Sequence, residues 1–175
     1  ALYEKPRNLS FEEAGAVGVP FVTAYEGFRR SGLPKAGQVV AVMGANGKVG
    51  QAAVQIAAMY GAQVIAVQRS DTFSAFACSS VSVVKQGRGL SNGKGANIIY
   101  NTVGSAYFEA SNKSLAKGGV QIFIATQDRA VPFDIFTFYR GMHTFVGIDT
   151  LALDCIQSTA LLDQLKSGLE SNTLK

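Results

Sequence analysis

The sequence predicts an α/β fold: a doubly wound, six-stranded parallel sheet with an N-terminal helical lead-in. Short apolar runs of strand length alternate along the chain with segments whose apolar residues recur at helical spacing. The strand runs are apolar almost throughout, as expected for parallel strands covered by helices on both faces. Most of the 19 glycines stand between these runs, where they mark turns.

The lead-in, residues 1–34, is predicted to contain two helices. Ser10 and Glu13 have the spacing of a capping box, which predicts a helix start at this point. A second helix is predicted to begin at Pro20, because proline is well tolerated at the first helical position. Its aromatic residues recur at i, i+4 and i+7 and so share one face: Phe21, Tyr25 and Phe28.

Residues 35–150 are predicted to form the sheet with its connecting helices, and residues 151–175 a C-terminal helix. The six predicted strands are residues 38–43, 64–67, 81–84, 96–100, 120–124 and 144–148. The helices predicted between them cover residues 49–60, 72–77, 106–115 and 135–139, with a polar loop at 87–95. The last helix is predicted from residues that share one face: Cys155, Thr159, Leu162 and Leu169.

Composition excludes several classes of protein. A hydrophobic content of 47% with only 16% charged residues indicates a packed domain and not a disordered chain. The net charge of +4 suits an anionic ligand such as a dinucleotide or RNA, but no cluster of lysine and arginine favours nucleic acid over an ordinary solvated surface. No apolar stretch is long enough to span a bilayer, so no membrane partner is expected. The two cysteines, Cys78 and Cys155, lack metal-ligand spacing and favour a reducing, cytoplasmic location.

A glycine-rich turn begins at Gly44, after the first predicted strand, and opens the next helix, as in a dinucleotide-binding turn. Small residues there let the backbone and the helix N-terminus approach a pyrophosphate. The residues predicted to hold it are Ala45, Asn46, Gly47, Lys48, Val49 and Gly50. Ala45 replaces the first glycine of the G-x-G-x-x-G pattern, so the motif is degenerate. A P-loop is excluded because Val49 stands where that motif needs serine or threonine.

The end of the second predicted strand indicates which dinucleotide is bound. Enzymes that use NAD usually carry Asp or Glu there, which binds the ribose 2′-hydroxyl. This chain instead has Gln68, Arg69 and Ser70. Arginine and serine can bind a 2′-phosphate, so the pattern favours NADP(H). The alternative is that Arg69 is a solvated cation and that Asp71 binds the ribose.

Six segments together resemble the quinone oxidoreductase (zeta-crystallin-like) branch of the medium-chain dehydrogenase/reductases. They are residues 9–14 (LSFEEA), 21–25 (FVTAY), 42–50 (VMGANGKVG), 93–96 (GKGA), 101–104 (NTVG) and 116–119 (AKGG). The resemblance covers nearly the whole chain, although residues 71–80 are short and serine-rich and depart from the family pattern. It implies a Rossmann fold, and a catalytic, GroES-like domain that precedes this region and is absent from the sequence.

The resemblance also implies where the cofactor lies. Residues 45–50 would hold the pyrophosphate, and Gln68, Arg69 and Ser70 would surround the adenosine ribose and its phosphate. The nicotinamide half would lie beside residues that follow the later strands: Asn101, Thr102, Val103, Ala125, Thr126, Val146, Gly147 and Ile148. Thr23 would touch the nicotinamide from the other side.

The resemblance implies that the full-length protein would be an NADPH-dependent reductase of quinones or α,β-unsaturated carbonyls. No residue is a good candidate for the general acid, and His143 is expected to be a packed residue of the sixth strand. Zinc-dependent members of the superfamily carry a cysteine ligand at the position of Val19, so no metal is expected. The chain alone is expected to be inactive. Its expected partners are its own catalytic domain and a second copy of the chain, which would pair with it through residues 144–148 of each copy. The alternative is a crystallin-like or RNA-binding relative that keeps the fold without catalysis.

Overall fold

The computed structural model describes residues 4–68, 81–85 and 94–175. The helices are α1 (Phe11–Ser31), α2 (Lys48–Met59), α3 (Ser105–Ser114), α4 (Ile135–Gly141) and α5 (Cys155–Glu170), with a 3₁₀ turn at Thr150–Ala152. The strands are β1 (Val39–Met43), β2 (Gln63–Gln68), β3 (Val81–Lys85), β4 (Ala96–Asn101), β5 (Leu115–Phe123) and β6 (Thr144–Gly147). The helix predicted at 72–77 lies outside the described residues, as does most of the loop predicted at 87–95.

The six strands form one sheet in the order β3-β2-β1-β4-β5-β6, and every neighbouring pair is parallel. This order places β1 and β4 side by side, with the chain winding outward from them in opposite directions. The predicted doubly wound, six-stranded parallel sheet is therefore confirmed. Because all strands are parallel, their carboxyl ends meet at one edge of the sheet, and the turns that follow them gather there.

The lead-in contains one continuous helix, so the prediction of a second helix start at Pro20 is wrong. The predicted capping box is confirmed: the Glu13 amide donates to the Ser10 hydroxyl at 3.1 Å, and the Ser10 amide donates to the Glu13 carboxylate at 2.7 Å. A proline inside a helix removes one backbone hydrogen bond. However, every residue from 21 to 28 is buried, and α1 packs on α2 and the sheet, so tertiary contacts keep the helix intact across the proline.

The fifth strand begins earlier than the sequence predicts. Residues 116–119 contain two adjacent glycines and are a poor strand by local propensity. In the structure β5 nevertheless starts at Leu115, which pairs with Ala96 of β4. The register shifts between Ala96 and Ile98, and this irregularity accommodates the extra residues of β5.

Apolar clusters cover both faces of the sheet. Even-numbered residues of β1 pack with α1, α2 and α5, whereas its odd-numbered residues lie on the α3 side. Tyr100 of β4 joins α1 to the sheet, because its hydroxyl donates to the Thr23 carbonyl oxygen at 2.6 Å. Its ring also meets Phe28 edge to face, with the ring centroids 5.1 Å apart. These contacts hold α1 beside the carboxyl edge of the sheet.

Candidate cofactor site

The turn after β1 is held between the ends of its two neighbouring strands. Gly44 has a φ of +75°, which glycine adopts without the penalty that a side chain brings. The amides of Gly44 and Ala45 both donate to the carbonyl oxygen of Val67, at 3.0 and 3.1 Å, and tie the turn to β2. On the other side, a Cβ at Gly44 would lie 2.5 Å from the Thr102 hydroxyl oxygen, in the turn after β4. The turn therefore has no room for a larger residue at Gly44.

The N-terminus of α2 lies at the same edge. Gly47 is the N-cap residue, no side chain caps the helix, and its first turn contains no acidic residue. Gly50 packs directly on the turn: a Cβ there would overlap the Gly44 carbonyl oxygen and stand 2.8 Å from the Ala45 Cα. The start of α2 thus packs against a glycine turn, and no side chain caps its amides. Such a helix N-terminus favours an anion.

The tip of this turn is open to solvent. Its exposed residues are Asn46, Gly47 and Lys48, whereas Ala45 and Gly50 are buried and Val49 is half-buried. The Gln51 side-chain amide donates to the Asn46 carbonyl oxygen at 2.9 Å and fixes the tip against α2. Gln51 is not predicted from the sequence, because nothing in the local pattern distinguishes it from an ordinary residue on a helix surface.

The end of β2 carries a buried amide side chain. Gln68 is 2% exposed, and neither its nitrogen nor its oxygen has a hydrogen-bond partner among the described residues. Buried amides are almost always hydrogen-bonded, so this one is suited to a polar group of a ligand. Arg69 and Ser70, the other residues predicted at this strand end, lie outside the described residues.

The turn after β4 is organised by Asn101, which is fully buried. Its side-chain oxygen accepts from the amides of Val103 and Gly104 at 3.1 and 2.8 Å, and its nitrogen donates to the Gly104 carbonyl oxygen at 2.9 Å. The Thr102 hydroxyl donates to the Met43 carbonyl oxygen at 2.7 Å. Asn101 and Thr102 therefore shape the turn beside β1, while Val103 stays half-buried at the same edge.

A set of three hydrogen bonds joins the turn after β5 to the start of α3. The Ser105 amide donates to the Thr126 hydroxyl at 3.2 Å, which donates to the Asp128 carbonyl oxygen at 2.7 Å. The Asp128 amide in turn donates to the Ser105 hydroxyl at 3.2 Å. We call this set the Ser105–Thr126–Asp128 clasp. Of its members, only Thr126 was predicted; Ser105 had a usable signal, since serine is common at helix starts.

A groove of about 610 Å³ opens at the carboxyl ends of β5 and β6, and we call it the β5–β6 groove. It brings together four of the residues predicted near the nicotinamide: Ala125, Thr126, Gly147 and Ile148. Two other residues predicted near the nicotinamide, Val146 and Thr23, do not line this groove. Thr23 is instead buried in α1, with its hydroxyl 3.1 Å from that of Thr150. Arg30 borders the groove and donates to the Gly147 carbonyl oxygen at 3.0 Å.

Comparison with known proteins identifies the family. Residues 49–164 match the model of the family described as zinc-binding dehydrogenase. The chain belongs to this family. A zinc-type alcohol dehydrogenase-like protein of Schizosaccharomyces pombe is 31% identical over the full chain, and human quinone oxidoreductase is 30% identical over 70% of it. The chain spans 54% of the first relative and 33% of the second.

Solved structures share the fold of this chain. An alcohol dehydrogenase superfamily protein from Novosphingobium aromaticivorans is 22% identical and superposes with a TM-score of 0.84, covering 98% of this chain and 55% of that one. The family and the fold make the chain an NAD(P)-binding domain of the medium-chain dehydrogenase/reductases, and the predicted family is confirmed. The residues at the sheet edge fit a dinucleotide: a helix N-terminus without side-chain caps suits its pyrophosphate, and the buried Gln68 amide suits a polar group.

His143 lies at the opposite end of the sheet, immediately before β6. It is 9% exposed, its Nδ1 is 3.3 Å from the Asn112 side-chain oxygen, and burial lowers the pKa of His143. This is a packed position, far along the strand from the carboxyl edge.

Among the described residues, no group of three or more His, Cys, Asp or Glu side chains could hold a metal ion. Val19, where the resemblance predicts a cysteine ligand in zinc-dependent relatives, is 74% exposed on α1. None of the described helices combines the length and the hydropathy that crossing a bilayer requires.

Proposed function

We propose that this chain binds NADP(H) in an oxidoreductase that reduces a quinone or an α,β-unsaturated carbonyl without a zinc ion. The observation that carries the proposal is the approach of Gly50 to Gly44, which sets the N-terminus of α2 against a glycine turn at the carboxyl edge of the sheet. In a doubly wound fold, this is where a dinucleotide pyrophosphate binds. The similarity to human quinone oxidoreductase supports a quinone as the acceptor.

Each part of the cofactor has residues assigned to it in this proposal. Residues 45–50 bind the pyrophosphate, the Gln68 amide faces the adenosine ribose, and Arg69 and Ser70 bind the 2′-phosphate. The residues assigned to the nicotinamide half are Thr23, Asn101, Thr102, Val103, Ala125, Thr126, Val146, Gly147 and Ile148. The bound cofactor supplies the hydride, and the protein orients it and excludes water. Asn101 and Thr102 contribute by holding the turn after β4, since their side chains bond to the protein itself.

The proposal includes two protein partners. The chain spans about half of the first relative it matches, and we assign the rest of the acceptor site to a preceding catalytic domain. The second partner is another copy of the chain. In the described sheet, β6 pairs only with β5, so its other side presents unpaired backbone groups that another strand can bind.

Calorimetric titration of the chain with NADPH and with NADH tests the cofactor assignment. We expect NADPH to bind about tenfold more tightly than NADH, because a charge-assisted contact to the 2′-phosphate contributes on the order of 1.4 kcal/mol. Arg69→Ala is expected to remove most of this preference and to leave NADH binding unchanged. The matched control is Arg140→Ala, since Arg140 is exposed at the end of α4 and lies outside the proposed site.

Two results would overturn the cofactor assignment. Equal affinity for the two dinucleotides would remove NADP(H) as the preferred cofactor, and binding of neither would remove the cofactor role itself. The assignment of a quinone or an α,β-unsaturated carbonyl as the acceptor is tested in the protein that carries this chain together with its catalytic domain. There, 1,4-benzoquinone or 4-phenylbut-3-en-2-one should cause loss of NADPH absorbance in the presence of a chelator; a requirement for added zinc would contradict the zinc-free mechanism.

A further inference from the structure

A second groove continues from the β5–β6 groove along the surface of α3. It has a volume of about 450 Å³ and runs between α3 and residues 131–134. The two grooves share three lining residues: Ser105, Phe108 and Val131. A molecule seated at the carboxyl ends of β5 and β6 can therefore extend into this second groove, which we call the α3 groove.

The rings of Phe108 and Phe133 form a wall of the α3 groove, and Phe123 and Phe145 pack against Phe108 from outside its lining. The ring centroid of Phe108 lies 5.9 Å from that of Phe123, 6.2 Å from that of Phe133 and 5.8 Å from that of Phe145. Tilted and edge-to-face contacts of this kind hold aromatic rings in defined orientations. Phe133 nevertheless remains 43% exposed, so part of this aromatic surface is available to a ligand. A rigid, partly exposed aromatic wall suits a flat apolar group.

The charged groups that line the α3 groove already have partners. The Lys113 ammonium lies 2.5 Å from a Glu109 carboxylate oxygen, and this contact raises the pKa of Lys113. The Asp134 carboxylate accepts from both the amide and the hydroxyl of Thr137 and caps α4. The charged side chains that line the groove are thus two carboxylates, Glu109 and Asp134, and one ammonium, Lys113, and this excess of negative charge favours an uncharged ligand over a phosphate or a carboxylate.

We propose that the α3 groove binds an uncharged aromatic substituent of the acceptor, whose reactive end shares the β5–β6 groove with the nicotinamide. This inference rests on the reductase function proposed above and adds the substrate class. The substrates are neutral aryl enones, or quinones with an apolar substituent, rather than coenzyme A thioesters. The continuity of the two grooves, the exposed Phe133 ring and the excess of carboxylates over ammonium groups in the lining support this class.

The test uses two saturated ketones, which have no double bond for a thiol to attack by conjugate addition. They are 4-phenylbutan-2-one and butan-2-one, which lacks the phenyl ring. Both are titrated into the ¹⁵N-labelled chain in the presence of saturating NADPH, and amide shifts are followed by NMR. We expect 4-phenylbutan-2-one to shift the amides of Phe108, Val131 and Phe133. It should also bind about tenfold more tightly than butan-2-one, because burial of the ring adds to the binding free energy.

Two substitutions test whether the phenyl ring binds in the α3 groove or elsewhere on the nearby surface. Phe133→Ser removes the exposed ring of the wall and is expected to weaken 4-phenylbutan-2-one binding about tenfold, with butan-2-one and NADPH binding unchanged. Phe136→Ser is the matched control, because Phe136 is 65% exposed on α4 and does not line the groove. This variant should bind both ketones as the unmodified chain does.

Several outcomes would overturn the inference. Equal affinity for the two ketones, shifts confined to other parts of the chain, or tighter binding of propionyl-coenzyme A than of 4-phenylbutan-2-one would each exclude an uncharged aromatic substituent. If NADPH binds and the ketones fail in these ways, the α3 groove assignment alone is wrong. If NADPH does not bind, the proposed function itself is wrong, and the acceptor assignment is lost with it.

Discussion

Gly50 of α2 packs directly on the carbonyl oxygen of Gly44, at the end of β1. An added Cβ on Gly50 would stand 2.8 Å from the Ala45 Cα, so a side chain there would push the helix away from the turn. The contact joins backbone to backbone, and neither partner can rotate away from it. It therefore links the packing of α2 on the sheet to the shape of the anion site at the helix N-terminus.

Gly50→Ala is expected to weaken NADPH binding about tenfold or more and to lower the free energy of unfolding by about 1–3 kcal/mol, because the added methyl group overpacks this contact. Calorimetry and urea denaturation measure the two effects. Gly15→Ala is the matched control, since Gly15 is exposed in α1 and an added Cβ meets nothing within 4 Å. It should stabilise the chain by up to about 1 kcal/mol through helix propensity, with unchanged affinity. Similar behaviour of the two variants would show that the contact has no special role.

Tyr100→Phe is expected to lower the free energy of unfolding by about 1–2 kcal/mol, because it removes the hydroxyl that donates to the Thr23 carbonyl oxygen in a buried setting. Tyr139→Phe serves as the control, since Tyr139 is 56% exposed and should tolerate loss of its hydroxyl within about 0.5 kcal/mol. Urea denaturation followed by circular dichroism measures both. Equal effects of the two substitutions would mean that the Tyr100 bond does not anchor α1.

The stability of the domain is expected to fall as the pH drops from about 7.5 to 5.5. Burial lowers the pKa of His143 in the folded state, so the unfolded chain takes up a proton first as the pH falls. The contribution to stability is fully present above the unfolded pKa of about 6.5 and is lost as the pH falls toward the folded pKa. The sequence contains one histidine, so His143→Gln should flatten the dependence of the urea midpoint on pH. A midpoint of the unmodified chain that stays constant across this window would contradict the prediction.

Thr126→Val is expected to reduce the free energy of NADPH binding by more than it reduces the free energy of unfolding. It removes the hydroxyl that accepts from the Ser105 amide and donates to the Asp128 carbonyl oxygen, so the turn after β5 loses its attachment to α3. The cost in stability should be about 1 kcal/mol, because these groups are exposed and water can replace the lost bonds. Thr126→Ser keeps the hydroxyl and should restore NADPH affinity in calorimetry. Failure of serine to restore it would show that the methyl group of Thr126 matters, and not the clasp.

Thr144→Lys is expected to convert a dimer to a monomer. Thr144 is exposed at the start of β6, the edge strand, and a lysine there places a charge on each copy where two edges would pair. Light scattering at micromolar concentration measures the mass. Lys117→Ala, at an exposed position in β5, should leave the mass unchanged. A monomer in the unmodified chain would remove the proposed pairing altogether.

The elements that were predicted correctly are those whose signals are local. The capping box of Ser10 and Glu13 depends on three residues of spacing, and the structure confirms it. The apolar runs of the six strands likewise carry their own pattern, and the glycine turn at 44–50 follows the first of them directly. In these cases the residues that determine the local structure are neighbours in the chain, so periodicity and spacing were enough.

The errors arose where distant residues decide the structure. Pro20 is a plausible helix start by local rules, but the burial of residues 21–28 holds one helix across it. Leu115 becomes part of β5 because it pairs with Ala96 of β4, which lies in another segment of the chain. The place of Asn101 beside the cofactor stays a prediction, whereas its hydrogen bonds with Val103 and Gly104, which shape the turn, depend on the folded backbone and could not be read from the sequence.

By itself, the sequence determined the α/β class, the six strands, the family and the turn at 44–50, because each depends on composition, periodicity or a short motif. The tertiary structure alone decided that Gln68 is a buried amide without a partner among the described residues, and that Ser105, Thr126 and Asp128 form a clasp. It also showed that the β5–β6 groove continues along α3. These features join segments far apart in the chain, and burial and shape exist only after the strands have assembled into one sheet.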